Sequence, residues 1–285
     1  MRGKTVIKRI YNTIRREGLD RTFILGIRYL SWRVRFQRLV SFLPSRIAGV
    51  IFIITQTSVQ LLIRILSQWY PNKYTDADPY KLIRADPAEI VRISGESEAK
   101  RRGWVDAGEW DKSEMLFMER TIPKSIHQRY IEEIPWSETI LANKSDDDEL
   151  LREEIEKIER LVDNIKREGY QSQRELVSRS DENTWSLVND SMHPVTNEVA
   201  VNIGRDGELL WCVCGQHRLA VAKVLGVEEI PVQVFRRHVR WQSIRHQCLR
   251  EGQIPSEFRN HPDLDELLDS ETTLNTEGNP HKESS

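Results

Sequence analysis

A chain of 285 residues, with 42 Lys and Arg against 44 Asp and Glu, is long enough for one sizeable domain with accessories, and its net charge of -2 is ordinary for such a domain. Three cysteines are too few for a disulfide framework and their spacing does not match zinc, so a disulfide scaffold and a structural zinc site are both excluded; buried thiols in a reducing cytosol fit better. The even balance conceals an asymmetry: residues 1–75 hold 14 Lys and Arg against two acids, Glu17 and Asp20, leaving 28 basic residues against 42 acidic ones in the remainder.

The basic portion reads as helical. Ile7, Ile10, Tyr11 and Ile14 form one apolar stripe, and Phe23, Ile24, Ile27 and Leu30 form another. Arg21, Arg28 and Arg35 recur every seven residues, with Trp32 and Phe36 placed for an interface. This is the pattern of a basic amphipathic helix lying on an anionic membrane surface, the partner expected for residues 1–70. Nucleic acid would also suit the arginines, but the wide apolar faces argue for lipid. No small-residue cleavage site follows an early apolar core, so no secretory signal is expected.

After Pro44, residues Ile47 to Ile63 form a run of 17 without a charge, the low limit for a membrane span. Thr55, Gln56, Thr57, Ser58 and Gln60 interrupt it, while Ile47, Val50, Ile51, Ile54, Leu61, Leu62 and Ile65 make a stripe. Three readings stand: an interfacial or re-entrant helix, a span, or a helix packed within the protein. A span with a cytosolic basic N-terminus would place everything after it outside the cell, which counts against that reading. Trp69 to Tyr74 reads as an interface belt and linker. The expected divisions are then a helical region over 1–75, a main domain over 76–242, helices over 243–269 and a disordered polar tail over 270–285.

Within the main domain, an insert at about residues 100–145 is rich in tryptophan: Trp104, Trp110 and Trp136, with Asp111, Glu114, Glu119 and His127 among them. It would serve either as a lid over a ligand or as a set of core tryptophans that bury large area. A short helix is expected over Ser125–Glu133, broken by Pro135-Trp136. Asp146 to Glu149 then precede a long helix over Leu150–Glu168, which Gly169 ends. Acids at its start and Lys157, Arg160, Lys166 and Arg167 later suit the helix dipole, so the acid run reads as a solvated helix start rather than a metal site. Leu151, Ile155, Ile158, Val162 and Ile165 form its inward stripe. Ser180–Pro194 is a polar loop in which His193-Pro194 could close one side of a pocket.

The most informative stretch runs from Glu198 to Arg237. Val199, Val201 and Ile203 alternate with Ala200 and Asn202, the two-residue period of a strand with one buried face. Arg205-Asp206-Gly207 supplies turn chemistry, and Leu209–Val213 completes a hairpin. Gly215-Gln216-His217-Arg218 opens a helix with Leu219, Ala222, Val224 and Leu225 inward and Gly226 as its stop; Ile230–Val234 returns as a strand. A glycine allows close approach to the backbone, and a helix's first turn leaves N–H groups without intrahelical partners, which favours an anion. His217 and Arg218 add donors for phosphate oxygens. An ordinary β–α turn in which Arg218 pairs with Glu198 or Glu228 is the open alternative. Beyond it, Arg236 to Trp241 is a basic cluster that either extends a phosphate pocket, meets an acidic partner or is a solvated strand end. Short helices are expected over Ser243–Gly252 and Asp263–Leu268.

Gly215-Gln216-His217-Arg218-Leu219-Ala220-Val221-Ala222-Lys223-Val224-Leu225-Gly226, followed by Ile230-Pro231-Val232, resembles the core motif of the ParB/sulfiredoxin superfamily. Its members carry a Gly-x-His/Arg-Arg box and bind nucleotides there: CTP in ParB partitioning proteins, ATP in sulfiredoxin, ADP or ATP in archaeal free-serine kinases. Leu82–Ile90 resembles the superfamily's opening strand and Ile165–Tyr170 the helix end before its second strand, so the likeness covers roughly residues 80–240 with an insertion. It implies an α+β fold with a small mixed sheet and packed helices. It also implies a nucleoside di- or triphosphate with Mg²⁺, held by Gly215, Gln216, His217 and Arg218, with Arg237 and His238 in support. If phosphoryl transfer follows, Glu198, Asp86 and Glu89 are the candidate carboxylates to orient or deprotonate an acceptor. No metal-ligating triad is apparent. The departures matter: Gln216 replaces sulfiredoxin's reactive cysteine, Cys214 lies two positions earlier, and no helix-turn-helix DNA reader follows Arg237. Phosphate binding carries over; peroxiredoxin repair and centromere recognition do not. The alternatives are a non-catalytic nucleotide-gated scaffold and nucleic-acid binding through the basic N-terminus.

Overall fold

The computed structural model describes residues 2–36, 45–94, 102–173, 175–176, 198–265 and 267. The loop with His193-Pro194 and the tail after residue 267 lie outside them. In chain order the described residues form α1 (Arg2–Phe36), α2 (Ser45–Trp69), β1 (Leu82–Ala85), β2 (Trp104–Asp106), α3 (Thr121–Tyr130), α4 (Ile140–Lys144), α5 (Asp148–Glu168), β3 (Val199–Ile203), β4 (Leu209–Trp211), α6 (Gln216–Val224), β5 (Ile230–His238) and α7 (Val239–Glu251). Short 3-10 turns at Pro87–Glu89, Phe117–Glu119, Trp136–Glu138 and Ser256–Phe258 join some of them. This is the mixed helix-and-sheet architecture expected from the sequence.

The longest strand, β5, organises the sheet. β1 runs antiparallel along its first half, from Leu82 opposite Gln233 to Ala85 opposite Ile230. β2 runs parallel along its end, with Trp104 opposite Arg236 and Asp106 opposite His238. The other edge takes β3, parallel, with Val199 opposite Val232, and β4 closes the sheet by a hairpin on β3. Val199, Val201, Ile203, Val232 and Val234 turn one face toward Leu219, Val221 and Ala222 of α6 and Ile158, Val162 and Ile165 of α5. As expected, the acids at the start of α5 are a solvated helix start, with Asp147 Oδ1 accepting from the N–H groups of Glu149 and Leu150 at 3.0 and 3.1 Å.

The structure corrects three expectations and decides between two others. β3 is buried at every residue rather than on one face. Ala200 packs with Cys212 and Phe235 on the second face, and Asn202 donates to Ser94 Oγ at 2.9 Å. Of the two readings of the tryptophan-rich insert, the core one holds for Trp104, which lies in β2, and for Trp110, both buried. Arg236, Arg237 and His238 are neither a solvated strand end nor a surface patch, because β5 continues through them and all three are buried. Finally, residues 1–75 do not stand apart from the main domain. Ile24 of α1 and Val59 and Ile63 of α2 are buried in one cluster with Tyr74 and Trp104. Arg21 donates to Asp106 Oδ1 at 2.6 Å and to the Val105 carbonyl at 2.8 Å, its guanidinium 4.5 Å from the Trp104 ring centroid.

Helix α1 is broken at Gly18, whose φ of 87° no other residue type adopts readily, so its two halves point differently. Of the three readings for residues 47–63, no described helix is long and apolar enough to cross a membrane. α2 instead packs one face on the protein and leaves Ile54, Leu61, Ile65 and Trp69 exposed on the other.

Candidate functional site

The strand-to-helix corner is built around Gly215. It caps α6 in the left-handed conformation, φ 76°. A Cβ there would lie 2.6 Å from the Cα of Val199, a backbone atom that cannot swing aside, so glycine is required on two counts. No side chain caps this helix start. The N–H groups of Gln216, His217 and Arg218 meet no acceptor among the described residues. The helix dipole adds to their partial positive charge.

The side chains of the box are engaged with the protein. Arg218 Nη1 donates to Glu198 Oε2 at 2.7 Å and Nη2 donates to the Gln171 carbonyl. The guanidinium also lies 4.6 Å from the Tyr170 ring centroid. Glu198 is fully buried, and its second oxygen accepts from Gln173 N–H at 2.5 Å. Burial pushes the Glu198 carboxyl above its usual range, against the pull of Arg218. Burial likewise raises the Tyr170 hydroxyl to about 12. The pairing of Arg218 with Glu198 is thus the one left open by the sequence. His217 faces outward, its Nε2 2.6 Å from Glu154 Oε1 of α5, and both side chains are partly exposed.

A second arginine borders the corner. Arg120, immediately before α3, donates from Nη2 to Gln216 Oε1 at 3.5 Å and lies 4.9 Å from the Trp211 ring centroid. Trp211 Nε1 donates to the Cys214 carbonyl at 2.9 Å and its ring packs against Phe117. These contacts set the start of α3 beside the start of α6, so Gln216, His217 and Arg120 share one rim.

Four of the residues expected at this site lie elsewhere. Asp86 caps the 3-10 turn after β1, accepting from Ala88 N–H at 2.7 Å. Lys223 of α6 reaches the Ala88 carbonyl at 3.3 Å, which places Asp86 and Glu89 by the far turn of α6, about 10 Å along the helix from Gln216. Arg237 and His238 stand at the opposite end of the sheet. β3 begins level with Val232, and five residues of strand, about 16 Å, separate that level from Arg237. There Arg237 Nε donates to Asp263 Oδ2 at 2.9 Å, and Asp263 also accepts from Trp241 Nε1 at 2.9 Å. Burial works against the Asp263 charge, but Arg237 and Arg245 more than offset it and hold the carboxyl well below the usual range. His238 caps α7 by accepting from Arg240 N–H at 3.1 Å. This end of the sheet is a structural ion network.

Two residues of the rim were not anticipated. Glu154 lies four residues before Ile158, in register with the buried stripe of α5, and an acid at such a position is the signal that it meets a cation. Arg120 had no signal, since its place depends on how the insert folds back. Among the described residues no group of three or more His, Cys, Asp or Glu is arranged to hold a metal ion. Mg²⁺ bound with a nucleotide keeps waters and phosphate oxygens and takes only one or two protein carboxylates, fewer than such a cluster.

No protein-family model, curated protein or solved structure matches this chain, so the reading of the corner rests on its own residues.

Proposed function

We propose that the protein binds a nucleotide through its phosphates at the Gly215–Arg218 corner, in the manner of the ParB/sulfiredoxin superfamily that the motif resembles. The observation that carries this is the start of α6: a left-handed glycine without room for a Cβ, no side-chain cap, and three backbone N–H groups without described acceptors. His217 is the side chain that turns to the phosphate, leaving Glu154, and Arg120, beside Gln216 on the same rim, is within reach. Arg218 acts from beneath, as the buried ion pair that fixes the corner. Binding without phosphoryl transfer is the better reading. Glu198 has both oxygens engaged, and Asp86 and Glu89 lie at the far turn of α6, so none of the three is set to receive an acceptor's proton. The protein is then a nucleotide-gated binding module.

Calorimetric titration of the full chain with Mg²⁺ complexes of ATP, ADP and CTP tests this through two variants. His217→Ala should lose roughly tenfold in affinity, the worth of one charge-assisted hydrogen bond. Glu154→Gln should bind more tightly than the wild type, because it frees His217 and removes a negative charge beside the phosphate. Unchanged affinity in both would refute the assignment.

The location proposed for this module is an anionic membrane surface. Tyr11, Leu19 and Phe23 of α1 and Ile54, Leu61, Ile65 and Trp69 of α2 are exposed large apolar side chains, in a region that is strongly basic. The helix pair would lie in the interface, with the inner face of α2 held by the protein. Flotation with vesicles checks it: Leu61→Glu/Ile65→Glu should abolish binding to vesicles containing phosphatidylglycerol, and equal binding by wild type and variant would contradict it.

A further inference from the structure

Immediately before the corner the chain makes a turn of unusual geometry. Cys214 N–H donates to the Cys212 carbonyl at 2.6 Å, a bond between residues two apart. Val213 between them holds a φ of 36°, a region in which a β-branched residue is strained. Cys212 is buried with Ala200 and Phe235, and Cys214, partly exposed, packs against the same cluster. Two residues of extended strand set their Cα atoms about 6.6 Å apart, near the outer limit of the roughly 4.4–6.8 Å window for a disulfide. The turn draws them closer than that.

A cation stands beside the pair. Arg102 is buried, its guanidinium 4.6 Å from the Phe235 ring centroid, and it donates to Gln233 Oε1. Among the described residues no carboxylate pairs with it. Burial pushes the Cys212 thiol up, with Arg236 and Arg102 pulling against it, and Arg102 acts on Cys214 as well. Cys214, the more accessible of the two, is the cysteine that an external disulfide meets first. Cys212, closed off from solvent, meets no external reagent and is available only to its neighbour.

We propose that Cys212-Val213-Cys214 is a redox modification site, a dithiol that a low-molecular-weight disulfide converts reversibly into an intrachain disulfide. The Cys214 thiolate attacks one sulfur of the reagent RSSR, forming a mixed disulfide and expelling RS⁻. Cys212 gives its proton to that thiolate and attacks Cys214 Sγ, expelling the second RS⁻, which takes up the proton Cys214 had released. Two protein thiols become one disulfide and RSSR leaves as two RSH. The new bond closes a ring directly ahead of Gly215, and Cys248, buried in α7, stays out of it.

The test is to incubate the intact, folded protein with oxidised glutathione, alkylate the remaining thiols and map them by mass spectrometry. The wild type should lose two hydrogens, with Cys212 and Cys214 joined, Cys248 unpaired, and the bond reversed by dithiothreitol. Cys212→Ser should stop at a glutathione adduct on Cys214, and Cys214→Ser should not react. A wild type that also stops at the adduct, that does not react, or that pairs either cysteine with Cys248 would overturn the proposal.

Discussion

At the scale of single residues, the chemistry of the corner depends on which charges are buried. Arg218 and Glu198 form a pair of which Glu198 is wholly enclosed, and removing one partner strands the other in a poor solvent for charge. Arg218→Ala should therefore lose about 3–5 kcal/mol of folding stability, measurable by urea denaturation, and is a poor probe of ligand binding. The partly exposed His217 is the informative substitution. The box itself, from Gly215 to Arg218, was legible because a glycine, a polar pair and an apolar run have one simple reading as a helix start. Its partners were less so. Glu198 could be named as a mate for Arg218, being next to the strand, whereas Glu154 and Arg120 come from distant segments whose docking no local pattern encodes.

Elements differ in how far their pattern could be trusted. The β3–β4 hairpin, α5 and α6 lie close to where alternation, turn residues and capping place them, and β1 takes the first four residues of the Leu82–Ile90 stretch that only the resemblance singled out. α2 illustrates the opposite case. Its apolar residues cover most of its circumference, so periodicity shows that it is helical but not which side meets the protein. The structure separates the two sides: Ile63 is buried against Ile24, Tyr74 and Trp104, while Ile65, on the opposite face, is 47% exposed. Ile63→Ala should lose about 2–5 kcal/mol in denaturation experiments in the absence of lipid, and Ile65→Ala about 0.5 kcal/mol or less. Equal effects would mean that α2 is not seated as described. Similarly, the basic run at the end of β5 reads as surface from composition alone. It is enclosed because acids distant in sequence, Asp106 and Asp263, come to meet it.

For the whole molecule, two consequences follow from that enclosure. The charge asymmetry between residues 1–75 and the rest suggested separable parts, but Arg21 reaches Asp106 and the first two helices cover Tyr74 and Trp104. A fragment starting at Thr75 should be markedly less stable than the full chain, showing lower thermal unfolding and exposed tryptophan fluorescence; equal stability would contradict this packing. The second consequence concerns acid. Burial opposes the charge on Asp111, yet hydrogen bonds from Arg205 bring its carboxyl down to about 2, and Asp263 is lowered as well. Carboxylates with folded values below the unfolded one, about 3.9, contribute stability that is complete above that value and is lost as pH falls through the folded one. Stability in urea should therefore hold near neutrality and decline between about pH 5 and pH 2, less steeply in Asp111→Asn.

The central claim is that the uncapped start of α6 receives nucleotide phosphates, and calorimetric titration of the wild-type chain tests it most directly. With ATP, ADP and CTP, each with Mg²⁺, at least one should bind saturably with one site per chain and a Kd of roughly micromolar order. No saturable binding by any of the three would contradict the account and leave the corner a structural turn held by Arg218 and Glu198.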